Sequence, residues 1–135
     1  MNRPWIKTAA ESLQSFAAIV NSPAAAGFDV IVVGHTDNIP IVKADTRARH
    51  PTNWHLSVHR AISVMNELSR AAVQHERIGV MGYGEYRPIA PNTTEENRQK
   101  NRRVEIYLVR SSSVGPVTKN LWRVGQTDLV FARLH

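Results

Sequence analysis

The sequence has no cysteine among its 135 residues, which excludes a disulfide framework, a thiolate metal site and a cysteine nucleophile. No apolar run approaches the ~20 residues that a bilayer-spanning helix needs. The opening stretch, MNRPWIKTAAESLQSF, lacks the apolar core and small-residue cleavage site of a secretory signal. There is no internal repeat, no glycine-rich phosphate loop and no nucleophile elbow. What is present is an ordinary globular composition, 42% hydrophobic and 21% charged, too apolar for disorder and of a size for one domain. The formal charge is +6 and the isoelectric point about 10.3, a balance that attracts polyanions such as nucleic acid, anionic lipid or an acidic polymer. The excess is dispersed: basic residues outnumber acids five to four in 1–50, nine to six in 51–110 and three to one in 111–135. The only dense cluster is Arg98, Lys100, Arg102 and Arg103. That dispersion weakens the nucleic-acid reading.

Periodicity divides the chain into elements. Ile6, Ala9, Ala10, Leu13, Phe16, Ala17 and Val20 recur at helical spacing and predict a helix over 5–20, with Pro4 suited to its first turn and Asn21-Ser22-Pro23 as its stop. Phe28 to Val33 is a β-branched run between Gly27 and Gly34, read as a central strand buried on both faces. Residues 34–53 read as a long loop, which inside a small domain is usually functional or mobile. A second helix is predicted over 55–74, with Val58, Ala61, Ile62, Met65, Leu68 and Ala72 as its buried stripe. A short strand follows over 77–83, and Gly82 and Gly84 bend the chain after it. Thr93 and Glu96 stand at capping-box spacing and open a short polar helix. Val104, Ile106 and Leu108 alternate with Glu105 and Tyr107 as the last clear strand. Beyond a linker at Ser111 to Pro116, Leu121–Val124 and Leu129–Leu134 are spaced as a hairpin. The order predicts a helix layer packed on a sheet. The domain is assigned to 1–110 and a C-terminal extension to 111–135.

The most informative stretches are Gly34-His35-Thr36-Asp37-Asn38-Ile39-Pro40-Ile41, leaving the central strand, and Asn53-Trp54-His55-Leu56-Ser57-Val58-His59-Arg60-Ala61, opening the second helix. Gly82-Tyr83-Gly84-Glu85, Arg87-Pro88-Ile89-Ala90-Pro91-Asn92 and Asn101-Arg102-Arg103-Val104-Glu105-Ile106 follow in order. This series, from Phe28 to Val109, resembles the OmpA-like family of peptidoglycan-binding domains, and within it the flagellar motor stator branch of MotB-like domains. Several motifs in the right order are far more specific than any lone pattern.

The resemblance implies an α/β two-layer sandwich, two main helices packed on a mixed parallel and antiparallel sheet, and a non-enzymatic domain, without cofactor, that grips the peptidoglycan stem peptide through diaminopimelate and anchors an envelope assembly to the cell wall. The family residues that carry the contact correspond to Asp37 and Arg60. The chemistry agrees: the far end of diaminopimelate is a zwitterion, and its recognition wants an anion and a cation a few ångströms apart. Arg60 can hold the carboxylate in a bidentate fork while Asp37 accepts from the ammonium. The helix start near Leu56 adds free N–H groups that favour the anion. Thr36, Asn53, Leu56 and Ser57 are expected to line the same site. Asn101 is expected to contact the stem peptide or to brace the Asp37 loop, and Arg102 to approach acidic groups or to cap a helix end. A lysine-type peptide would leave Arg60 without its partner. Each exposed pair contributes only ~0–1 kcal/mol, so polymer multivalency or a homodimer would supply avidity.

Other readings compete. A nucleic-acid module would use 98–103 and 43–49, and would lose affinity steeply with salt. A metal-dependent hydrolase would be built on His35, His55 and His59, although exposed histidines at a helix end are the commoner explanation of such spacing. If those histidines lie near Asp37, their protonation around pH 6–7 would add positive charge beside the site. Trp54 and Tyr83 read as packing residues, and Glu85, Glu95 and Glu96 make no persuasive acid/base pair. The resemblance also implies a strand before the first helix, which this sequence does not show, and a periplasmic setting with membrane attachment through a segment absent from these residues. The sheet edge so exposed would invite pairing, and the C-terminal extension is a candidate to cover it.

Overall fold

Of the stripe predicted for the first helix, Leu13, Phe16, Ala17 and Val20 are buried in α1 (Ala9–Val20), while Ala10 is exposed in its first turn. The structure, a computed structural model, describes residues 9–111 and 131–134. Ile6, most of the linker and the 121–124 arm of the predicted hairpin lie outside the described residues. After α1 the chain runs through β1 (Phe28–His35), α2 (Ala44–Arg49), α3 (Asn53–Arg70), β2 (Ile78–Gly82), α4 (Glu95–Asn101), β3 (Arg103–Arg110) and β4 (Phe131–Leu134).

The sheet order is β2-β1-β3-β4. β1 pairs parallel with β2, from Val30↔Ile78 to Gly34↔Gly82, and antiparallel with β3, from Phe28↔Arg110 to His35↔Arg103. The sheet is therefore mixed, as predicted. β4 pairs antiparallel with the outer edge of β3, from Val104↔Leu134 to Tyr107↔Phe131. The C-terminal segment thus extends the sheet along β3.

Side chains alternate across the strands. Val30 and Val32 of β1, with Val104, Ile106 and Leu108 of β3, join Leu13, Phe16, Val20, Ala61 and Leu68 in one core under α1 and α3. Each fully buried aliphatic side chain there contributes about 1.5–3 kcal/mol. Arg77 ties the layers together at one end, donating to the carbonyls of Val20, Ala25 and Phe28 at 2.7–3.2 Å.

Three boundaries differ from the sequence reading. The 34–53 segment contains α2, where alanines favour the helix and Asp45 first and Arg47 and Arg49 last suit its dipole. α3 starts at Asn53, because Thr52 caps it by accepting from the His55 N–H, and it stops at Arg70. Its end is a Schellman turn: Val73 N–H reaches Leu68 O at 3.0 Å and Ala72 N–H reaches Ser69 O at 3.0 Å, with Ala72 left-handed at φ 70° and exposed, so that it leaves the buried stripe predicted to include it. α4 is capped by Thr94, which accepts from Asn97 N–H at 3.1 Å, and not by Thr93. Thr93 N–H is instead turned onto Pro91 O at 2.8 Å.

One contact positions the site. A Cβ on Gly34 would lie 1.8 Å from Ser57 O, and one on Gly82 would lie 2.3 Å from Ser57 Oγ. The start of α3 therefore rests directly on the backbones of β1 and β2. That close approach brings the first turns of α3 beside the chain leaving β1.

Candidate functional site

A cleft of about 300 Å³ opens where β1 ends and α3 begins. Thr36, Asp37, Asn53, Leu56, Arg60 and Arg102 line it, with Ile39, Pro40, Ile41 and Val42 as an apolar wall and Lys43 at its border. Six of the eight residues nominated from sequence therefore meet in one place.

The Asp37 loop is fixed from several sides. Asp37 Oδ1 accepts from Ile39 N–H at 2.9 Å, an Asx-type turn that holds the carboxylate over its own loop. Asn53 Nδ2 donates to Asp37 O at 3.4 Å and to Ile39 O at 3.2 Å, joining that loop to α3. Thr36 Oγ1 donates to Asp37 O at 2.8 Å, and Thr36 N–H to Gly84 O at 2.9 Å. Asp37 Oδ2 accepts from Arg102 Nη1 at 2.7 Å, while Arg102 Nη2 donates to Glu95 Oε1 at 2.5 Å. Those two hydrogen bonds, Glu95 first, raise the pKa of Arg102.

Arg60 is held differently. Its Nη1 donates to His35 O at 3.2 Å, and among the described residues no carboxylate pairs with it. Burial pushes its pKa down, Asp37 nearby opposes that, and Arg102 adds to the lowering. The guanidinium still stays protonated. The cleft thus contains a partly desolvated cation with unused donors, close enough to a fixed carboxylate to feel its charge.

Ser57 and Asn101 do not line the cleft, because both are fully buried. Ser57 Oγ donates to Trp54 O at 2.8 Å and accepts from Gly84 N–H at 3.0 Å, so it fastens α3 to the turn after β2. Asn101 Oδ1 accepts from the Ile89 and Ala90 N–H groups at 2.8 and 3.2 Å. Its Nδ2 donates to Ala90 O at 2.9 Å and Asn92 Oδ1 at 2.7 Å. It braces the 89–92 loop, not the Asp37 loop.

The three nominated histidines do not converge. His35 is buried, with Nε2 on Glu105 Oε1 at 2.8 Å. His55 Nδ1 meets Thr52 Oγ1 at 2.8 Å, and His59 Nδ1 meets His50 Nδ1 at 2.7 Å. No group of three or more metal-ligating side chains among the described residues could hold a metal ion. In the basic cluster, Arg102 is paired with Asp37 and Glu95, and Arg103 with Glu105. Two of the four cations in that cluster are therefore engaged within the fold.

Sequence reasoning missed the apolar wall, although isoleucines flanking Pro40 in a loop were a signal for it. It also misread Trp54, whose side chain is not packed away but stacks on Tyr86 at the surface. Tyr83 does pack, stacked on His35 with Arg87 over its ring at 4.7 Å.

Comparison with known proteins agrees with this fold. Residues 6–102 match the OmpA family. Motility protein B of Bacillus subtilis (strain 168) is 40% identical over 92 residues, covering 67% of this chain and 32% of that protein. The crystal structure of the periplasmic domain of Helicobacter pylori MotB superposes with a TM-score of 0.66 at 33% identity, covering 76% of this chain and 62% of that one. The cell wall anchor of the T6SS from Pseudomonas aeruginosa does so with a TM-score of 0.61 at 35% identity, covering 74% and 64%. The chain spans less than a third of the full length of its Motility protein B relative. No helix among the described residues is long and apolar enough to cross a membrane.

Proposed function

The chain belongs to the OmpA family, and from that premise we propose that it anchors an envelope assembly to the cell wall by binding peptidoglycan non-covalently and without catalysis. The ligand is the diaminopimelate of the stem peptide, held in the cleft between β1 and α3. The observation that carries this reading is Arg60, a partly buried guanidinium with no carboxylate partner among the described residues, in one cleft with Asp37. A ligand carboxylate would complete it through a bidentate contact. The ammonium on the same carbon would join Asp37, whose two oxygens offer about four acceptor sites. Two of those are engaged by Ile39 and Arg102. The apolar wall from Ile39 to Val42 suits the methylene stem between the ligand's two ends.

Similar proteins are named for motility, for the outer membrane and as a periplasmic domain or cell wall anchor, which supports a periplasmic setting and makes a motility stator the larger assembly to test first. A single cleft of this kind binds modestly, and a dimer facing a polymer of repeated peptides would gain avidity.

Co-sedimentation with diaminopimelate-type sacculi tests the reading. Wild type is expected to pellet. Asp37→Ala and Arg60→Ala, each folded by circular dichroism, are expected to bind roughly ten- to a hundredfold more weakly, the loss of a charge-assisted contact. Folded wild type remaining in solution would sink the proposal, and so would variants that pellet like wild type.

A further inference from the structure

A second cavity, of about 360 Å³, adjoins the first and shares Pro40, Ile41 and Asn53 with it. Its aromatic side is Trp54 and Tyr86, whose rings stack with centroids 5.2 Å apart at 29°. They are 50% and 61% exposed, although aromatic rings of this size are ordinarily covered. Polar groups rim them: Asn38 can donate and accept, Asn53 Oδ1 and Glu85 accept and Arg47 donates, while Thr52 is engaged with His55. An aromatic pair rimmed by polar groups of both kinds fits a ligand with one apolar face and a hydrogen-bonding edge. A pyranose ring is such a ligand, with C–H bonds on its face and hydroxyl or acetamido groups on its edge. A fully apolar segment would leave the rim unsatisfied. A phosphate backbone would meet Glu85.

We propose that this second cavity is a glycan subsite, in which one sugar of the polymer strand lies against Trp54 and Tyr86 while its own stem peptide occupies the Asp37–Arg60 cleft. The inference rests on the peptide reading of that cleft. Continuity of the cavities supports it, because a stem peptide is covalently attached to a sugar and diaminopimelate lies a few residues from the attachment. Two to three extended residues span roughly 7–11 Å. Trp54 precedes Arg60 by six positions on α3, about 9 Å along the helix axis. The spacing along the helix thus matches the spacing along the ligand. The subsite would also orient the strand, since the sugar end and the diaminopimelate end of one peptide would occupy different cavities.

The test is calorimetric titration of the folded chain with three probes: a disaccharide-peptide fragment of peptidoglycan, the same stem peptide without sugar, and the peptide-free oligosaccharide. Wild type is expected to bind the disaccharide-peptide about two- to tenfold more tightly than the peptide, the range of one aromatic contact. Tyr86→Ala is expected to remove that increment and leave peptide affinity unchanged. Trp54→Ala should do the same, with its fold checked by circular dichroism, because the Trp54 ring also packs near Gly84. Equal affinities for the two peptide probes in wild type overturn the subsite, as does an increment that survives both substitutions. Failure of the bare stem peptide to bind overturns the reading of the first cleft instead. The oligosaccharide then decides the second on its own: binding lost in Tyr86→Ala supports it, and no binding overturns it.

Discussion

Arg102 and Arg103 are neighbours in the chain, and each meets a carboxylate. Arg102 Nη1 reaches Asp37 Oδ2 at 2.7 Å, and Arg103 Nε reaches Glu105 Oε2 at 3.2 Å. Their surroundings differ. The side chains of Arg103 and Glu105 are 3% and 8% exposed, while Arg102 is 29% exposed and its second partner, Glu95, is 70% exposed. Arg103 also donates to Arg87 O at 2.9 Å, and Glu105 accepts from Tyr107 Oη at 3.1 Å and meets His35 at 2.8 Å. That network sits on the sheet face away from the helices, because Glu105 and Tyr107 alternate with the core residues Val104, Ile106 and Leu108. The same pairing chemistry therefore serves two ends. In the dry network neither partner can leave without stranding the other. At the half-open cleft, water and Glu95 can take over what a ligand displaces.

The largest effect should come from breaking the dry network. Glu105→Gln leaves Arg103 without its counterion and should destabilise the chain by about 3–5 kcal/mol, read from urea unfolding. The acid limb of the stability profile offers a sharper version. Burial works to raise the pKa of Glu105, but the charge and hydrogen bond of Arg103, with His35 and Tyr107, outweigh it and hold the carboxyl below its ordinary value. A depressed carboxyl contributes stability that is present above its unfolded pKa and is lost as pH falls through the folded one. Wild type should therefore lose stability as pH falls below the ordinary carboxylate range, and Glu105→Gln should lose less over that interval. A substitution as mild as an ordinary surface change would break the contrast with Arg102.

At the cleft the corresponding change should be milder. Arg102→Ala removes a partly exposed pair and should alter stability by no more than about 1 kcal/mol. It leaves Arg60 in place and releases one oxygen of Asp37 for the ligand ammonium. Stem-peptide affinity should then change by less than about tenfold, against the larger loss expected for Arg60→Ala. If Arg102→Ala abolishes binding while Arg60→Ala is tolerated, the two arginines have exchanged roles, and Arg102 is the group that takes the ligand carboxylate.

This contrast also marks where the sequence was legible. The strand of Phe28 to Val33, the α3 stripe and the alternation of β3 are periodic, and periodicity is a local property that a linear string displays. The meeting of Asp37 and Arg60 was legible through the family resemblance, which carries one motif at the end of β1 and the other at the start of α3. What Asn101, Arg102 and Arg103 each do was not legible. The chain passes from helix to strand at that point, and successive side chains leave in three directions: Asn101 to the 89–92 loop, Arg102 to Asp37, Arg103 to the buried network. Their partners lie up to 65 positions away, and no local pattern encodes that. Trp54 was misread for the same reason, since its exposure is decided by Gly84 and Tyr86 from another loop. β4 was half visible: a strand near the C-terminus was foreseen, but its described partner is β3.

The smallest effect concerns His50, which lies between the two extremes of solvation. Its Nδ1 is 2.7 Å from His59 Nδ1, a contact that needs one ring neutral as acceptor. Burial lowers the pKa of His50, and His59, Arg49 and Arg60 lower it further. A lowered histidine is neutral in the fold while its unfolded counterpart takes up protons first, so its contribution to stability is present above the unfolded value and is lost as pH falls from about 6.5. The thermal midpoint of wild type should drop slightly between pH 7.5 and 5.5, and that part of the drop should vanish in His50→Gln. Protonation of the folded ring, which follows only at lower pH because its pKa is lowered, would add positive charge near Arg60, so stem-peptide binding through its carboxylate should tighten modestly at the acid end of that range in wild type only. A pH response that is identical in wild type and His50→Gln, in both stability and binding, would show that the cleft does not sense this histidine pair.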